Sequence, residues 1–188
     1  DLIYGSTPDV MLDKSAGSVT TFGNESKLRK ATISMRLPGE TTRAWIFIVL
    51  AFSFACGLGI KCAQPERPVV SLMGDGGFGM TVSELSTAVD HNINTVTVVM
   101  NNKCWGAEKA YQRDFFNGRY IAADVSSPPF DKLAELYGAA GFRADTLAEV
   151  APAIEAALAC GKPAVVDVAV DPNALYSFRR DSFKHRGG

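Results

Sequence analysis

Histidine and cysteine are scarce in this chain of 188 residues, which has 2 and 4 of them. Cys56, Cys62, Cys104 and Cys160 are too few for a disulfide scaffold, and none form the C-x-x-C pair of a zinc site. A reducing cytoplasm is the expected setting. His91 and His185 are the only histidines, and no nucleophile-His-acid set suggests itself. His91 closes a predicted helix, where a cation suits the dipole. Charge of either sign is not in excess. Lys plus Arg is 19, Asp plus Glu is 20, and the net charge is -1. That leaves no electrostatic footprint for nucleic acid or an anionic membrane. An initiating Met and a basic-then-apolar leader are both missing, so the chain reads as a fragment or processed form without a secretory signal. No internal repeat or low-complexity stretch appears.

Long apolar runs are also rare. One stands out, residues 45–60 (WIFIVLAFSFACGLGI), with Ser53 as its only clearly polar side chain. A membrane span needs about 20 apolar residues, so a buried helix is expected here and no membrane partner. Hydrophobic residues are 47% and charged residues 21%, enough for a packed core. The length suits one domain.

Residues 1–44 carry scattered glycines and prolines and read as loop with short elements. From residue 65 the pattern is regular. Val69 to Met73 reads as a buried strand. Gly74 to Gly79 is a glycine-rich loop. Residues 81–91 place Val82, Leu85, Ala88 and Val89 on one helical face. Thr95 to Met100 is rich in β-branched residues and reads as a second strand. Together they make a βαβ unit. A long polar and aromatic segment, 101–129, follows, and loops of this length are usually functional. Residues 130–140 predict a helix and Phe142-Arg143-Ala144 a brief strand. Residues 146–160 predict a helix opened by a Thr146/Glu149 capping box and stopped by Gly161. Ala164 to Val170 is a third clear strand. The alternation predicts an α/β fold, a doubly wound, mostly parallel sheet with helices on both faces.

The segment Met73-Gly74-Asp75-Gly76-Gly77-Phe78-Gly79 lies between strand and helix, where an open α/β sheet binds ligand. Gly74, Gly76 and Gly79 satisfy G-x-G-x-x-G. A Rossmann site, however, wants an acidic residue at the end of the second strand, and Asn101-Asn102 stand there. A nicotinamide or flavin dinucleotide domain is therefore the alternative reading. Asp75 inside the loop would repel a bare diphosphate, and a divalent cation resolves that conflict. Mg2+ takes oxygen ligands, typically a carboxylate plus substrate phosphates. Adjacent strands lie about 4.8 Å apart, so Asp75 and an Asn oxygen from the neighbouring strand end could share one ion.

G-D-G, 24 intervening residues (77–100) and N-N resemble the motif of thiamine diphosphate (ThDP) enzymes. The resemblance implies that Asp75 and the Asn102 side chain bind Mg2+, with the Cys104 carbonyl completing the protein ligands. It implies that Gly74, Asp75, Gly76, Gly77 and Asn102 form the cofactor site, the Gly76 and Gly77 N–H groups facing the diphosphate. Residues 101–120 (NNKCWGAEKAYQRDFFNGRY) and 178–181 (FRRD) look like the sulfoacetaldehyde acetyltransferase and acetolactate synthase group. Residues 48–188 would be the diphosphate-binding domain, and 1–47 match the family poorly. The implied activity is that of a carbon–carbon lyase or acyltransferase acting on a 2-oxo acid or sulfoacetaldehyde, a small anionic carbonyl substrate. The family also needs a Glu from a pyrimidine-binding domain to activate the cofactor. Neither Glu84 nor Glu108 has the context for it, so a partner domain or subunit is implied, in a homo-oligomer. Positions 48–51 are bulky where the family lines the cofactor with small residues.

Trp105, Lys109 and Arg113 follow the metal loop. They are candidates for the substrate entrance, and equally for a solvated helix with Trp105 as a packing anchor. The basic tail (Arg179, Arg180, Lys184, His185, Arg186) reads as a solvated end rather than a cap on an anionic site. A membrane-anchored or regulatory domain using residues 45–60 is a third hypothesis.

Overall fold

The computed structural model describes residues 52–175 in full and the backbone of 20–21, 30–37 and 40–47. Its strands are β1 (Thr20–Thr21), β2 (Lys30–Leu37), β3 (Glu40–Phe47), β4 (Val69–Gly74), β5 (Val96–Asn101), β6 (Ala140–Ala144) and β7 (Ala164–Ala169). Its helices are α1 (Ser53–Ala63), α2 (Asp75–Gly79), α3 (Glu84–Asp90), α4 (Gly106–Phe115), α5 (Phe130–Leu136) and α6 (Leu147–Ala159). The strands form one sheet in the order β1-β2-β3-β4-β5-β7-β6. From β3 to β6 every neighbouring pair is parallel, while β1, β2 and β3 pair antiparallel.

The valine-rich strands β4, β5 and β7 are buried on both faces, as parallel strands flanked by helices must be. On one face Val70, Val96, Val98, Val166 and Val168 pack against Val150, Ile154 and Ala157 of α6. On the other, Met73, Val99 and Val165 meet Phe54 and Leu58 of α1, Leu85 and Ala88 of α3, and Phe130 and Ala134 of α5. Helices therefore cover both faces, as the alternation predicts. Val82 and Val89 complete the predicted α3 face as partly buried neighbours.

Three expectations are corrected. The apolar run 45–60 is not one helix. Trp45 to Phe47 belong to β3, and α1 starts at Ser53. Trp, Ile and Phe favour strand, and a uniformly apolar run carries no period to reveal the switch. Among the described residues no helix is long and apolar enough to cross a membrane. The N-terminal stretch 1–44, read as loop with short elements, contains β2 and the first part of β3, which pair over eight residues. Its sequence Lys-Ala-Thr-Ile-Ser-Met-Arg-Leu alternates polar and apolar, the period of a strand. Finally, the glycine-rich loop is helical from Asp75 to Gly79. Residues 48–51 and the basic tail lie outside the described residues.

Candidate cofactor and metal site

β4 and β5 run parallel with Gly74 opposite Met100, so Asp75 and Asn101-Asn102 emerge together from neighbouring strand tips. Asp75 opens α2, where a negative charge suits the helix N-terminus. The helix is held by Phe78, whose ring is fully buried. It packs edge-on against Phe54 of α1 at 5.4 Å and Phe130 of α5 at 5.1 Å between centroids. Such aromatic pairs add about 1 kcal/mol each beyond their buried area.

The Asp75 side chain is 2% exposed. Burial pushes its carboxyl above the usual carboxylate range. The Ser127 hydroxyl and the backbone amides of Gly76, Asp75 and Lys103 act in the opposite direction. Ser127 Oγ donates to Asp75 Oδ2 at 2.5 Å. Among the described residues no Lys, Arg or His pairs with Asp75. A buried carboxylate without a countercharge is costly, and a bound cation would remove that cost.

The second strand tip is shaped by an Asx turn. Asn102 Oδ1 accepts the Cys104 N–H at 3.2 Å. Lys103 between them takes a left-handed conformation, φ 57°. The chain then pairs with residues 123–125. Trp105 N–H donates to the Ala123 carbonyl and Val125 N–H to the Lys103 carbonyl, and Cys104 faces Asp124 across an antiparallel bridge. That pattern makes Cys104 a non-hydrogen-bonded position, so its carbonyl takes no part in the ladder. The thiol is turned inward and 3% exposed, and burial raises its pKa. Among the described residues the ladder leaves the Cys104 peptide oxygen unused, while the sulfur is buried.

Among the described residues no three His, Cys, Asp or Glu side chains converge on a metal position. A cation here would rest on a mixed set of one carboxylate, one amide oxygen and one carbonyl. That hard-oxygen chemistry fits Mg2+, which keeps its other positions for water and phosphate.

Gly76 is fixed by its neighbour. A Cβ there would lie 2.6–2.9 Å from three carbons of the Trp105 ring. Trp105 thus packs against the glycine turn, as a packing anchor would. Lys109 is tied to Asp124 at 2.7 Å and sits 5.6 Å over the Tyr120 ring. Arg113 bonds Asp114 at 2.8 Å and the Leu175 carbonyl at 3.2 Å. His91 caps the C-terminus of α3.

Two residues of the site escaped the sequence reading. Ser127 had no signal beyond its turn-like neighbours. Asp167 stood in plain view as the one charge in the AVVDVA of β7. It is fully buried and its Oδ2 accepts from Arg143 Nη1 at 2.8 Å, Phe130 N–H at 3.0 Å and Asn101 Nδ2 at 3.4 Å. Asn101, the first of the Asn pair, is thereby turned into the protein.

Comparison with known proteins agrees with this architecture. A family model described as the thiamine pyrophosphate enzyme C-terminal TPP binding domain matches residues 23–168. Sulfoacetaldehyde acetyltransferase of Alcaligenes xylosoxydans xylosoxydans is 33% identical over 167 residues, which is 87% of this chain and 28% of that protein. The acetolactate synthase large subunit IlvG of Mycobacterium tuberculosis is 34% identical over 169 residues, 90% of this chain and 31% of its own length. The chain thus spans under a third of these relatives. Among solved structures, the ThDP-dependent 4-hydroxybenzoylformate decarboxylase of Rhodococcus jostii RHA1 superposes with a TM-score of 0.62 at 29% identity, over 66% of this chain and 24% of that one. The dinucleotide alternative is not favoured by any of these. A buried Asp and an Asn turn at adjoining strand tips, set in this sheet, are accounted for by one family: the chain belongs to the thiamine pyrophosphate enzymes, as their C-terminal TPP-binding domain.

Proposed function

We propose that this chain binds the diphosphate end of ThDP through Mg2+ held by Asp75, the Asn102 side chain and the Cys104 carbonyl. The observation that carries the reading is the Cys104 carbonyl left out of its ladder beside a buried carboxylate with no cationic partner among the described residues. Gly77, and Gly76 in exchange for its contact with the Asp75 carboxylate, would offer backbone N–H groups to the diphosphate, and Trp105 would hold the turn that presents them. The bound cofactor supplies a carbanion and an electron sink for cleaving a bond beside a carbonyl. The residues of this chain would hold the cation that offsets the phosphate charge and would donate N–H groups to the phosphate oxygens. Mg2+ does no redox work in this arrangement.

The whole enzyme would be a lyase or acyltransferase acting on a small anionic carbonyl compound, a 2-oxo acid or sulfoacetaldehyde. The names of the relatives support this class. A pyrimidine-binding domain or subunit, in a homo-oligomer, would supply the activating Glu. The surface beyond the metal loop is suited to such a partner. Tyr111, Phe115 and Phe116 have rings in contact, and Phe115, Phe116, Tyr120 and Ile121 are exposed. Exposed apolar clusters of this kind mark interaction sites.

Calorimetry tests the cation site. Wild-type chain should bind ThDP only with Mg2+, should ignore NADH, and should lose binding on Asp75→Ala. Unchanged affinity in that variant overturns the metal assignment. Turnover of a 2-oxo acid or of sulfoacetaldehyde by this chain alone overturns the need for a partner.

A further inference from the structure

Asp75 is bonded by a side chain from well outside its own helix. The only side chain bonded to its carboxylate among the described residues is Ser127, which stands 52 positions further along the chain. Ser127 belongs to Ser126-Ser127-Pro128-Pro129, the stretch leading into α5. That stretch is pinned at its other end. The Pro128 carbonyl accepts from Asn101 Nδ2 at 3.4 Å, and the Phe130 N–H donates to Asp167 Oδ2 at 3.0 Å. The serine is thus placed by the tip of β5 and by Asp167 within β7, and it acts on the carboxylate that follows β4.

We propose that Ser127 is a positioning residue for the cation site. Its hydroxyl proton occupies Oδ2 of Asp75 and leaves Oδ1 to face the cation. The terminal torsion of an aspartate is broad, so an unanchored carboxylate presents either oxygen at many angles. The backbone amides of Gly76, Asp75 and Lys103 also bond the carboxylate, and the Ser127 anchor on Oδ2 adds to them the one side-chain contact among the described residues, which narrows its presentation. The Pro128 ring restricts the Ser127 backbone in turn, because it holds the preceding residue in extended conformations. The inference rests on the cation site proposed above.

The test uses the full chain, Mn2+ as the probe ion and ThDP as its companion. Free Mn2+ is read by electron paramagnetic resonance, and the thermal midpoint without ligand is recorded for each variant. Ser127→Ala should weaken Mn2+ binding about tenfold, the lower range for loss of a group that orients a metal ligand. Ser127→Thr, which keeps the hydroxyl, should stay within about twofold of wild type on the same scale. Ser127→Cys, close in size but a weak donor, should behave like the alanine variant even if that variant folds poorly. Unchanged or tighter binding in Ser127→Ala and Ser127→Cys overturns the proposal, since the hydroxyl would then fill space or compete with the ion. Equal losses in the alanine and threonine variants overturn it too, by assigning the effect to packing. If wild type fails to bind Mn2+, or Asp75→Ala binds as well as wild type, the cation site itself falls and this role falls with it.

Discussion

Gly76 shows how a single atom sets the site. Its missing Cβ is the space in which the Trp105 ring sits. Gly76→Ala should push the indole outward, at a cost of about 1–3 kcal/mol for overpacking. With Trp45→Phe as background, emission reports Trp105 alone, because the chain has 2 tryptophans. The expected result is a shift to longer wavelength as the ring meets water, together with weaker ThDP binding. An unchanged spectrum would show that the turn yields instead. At this scale the sequence was legible where chemistry demands a spacing. Asp75 stands out because a carboxylate in a glycine-rich loop needs a cation before it can face a diphosphate, and Asn102 is named by the resemblance of G-D-G and N-N to the ThDP motif. Ser127 cannot be named, because a serine before two prolines looks the same in any turn. Its partner lies 52 positions away, and only the folded sheet makes them neighbours.

Helix α6 carries its own start signal. The Glu149 carboxylate accepts the Asp145 N–H at 2.8 Å and the Thr146 N–H at 2.9 Å, closing the capping box. These two amides hold its pKa below the ordinary 4.5. A depressed folded-state pKa gives stability that is fully present above the unfolded value and is lost as pH falls through the folded one. Glu149→Gln should therefore be less stable than wild type at pH 7, and the gap should close on acidification below about pH 4.5. Urea melts at several pH values check this, and a gap independent of pH would assign the loss to something other than the charge. Elements with such punctuation were readable. The capping box, Gly161 and the valine runs of β4, β5 and β7 each state a boundary or a period. The run 45–60 states neither, so the passage from β3 to α1 had no trace in a uniformly apolar string.

Across the whole molecule, the parallel sheet joins elements far apart in sequence around one buried charge. Asp167 receives Arg143 from β6, the Phe130 amide from α5 and Asn101 from β5. Arg143→Leu would strand that carboxylate. The expected loss is about 3 kcal/mol, the lower end for breaking a buried pair, since Arg143 keeps part of its side chain in water. Chemical denaturation measures it, and a loss below about 1 kcal/mol would mean that the neutral donors suffice. The fold class followed from alternating helices and strands, but the order that sets β7 between β5 and β6 has no signature in any local window.

Where β6 meets α5, Gly141 leaves room for nothing. A Cβ there would fall within 2.0 Å of the Asp131 carbonyl oxygen. Two main chains rest directly on each other with no pliable side chain between them to absorb movement. Fraying of that outer strand should then loosen the Phe130 amide tie, and amide exchange at Ala140–Ala144 and at Phe130 should rise together. The rim of the sheet would thereby be coupled to the stretch that carries Ser127.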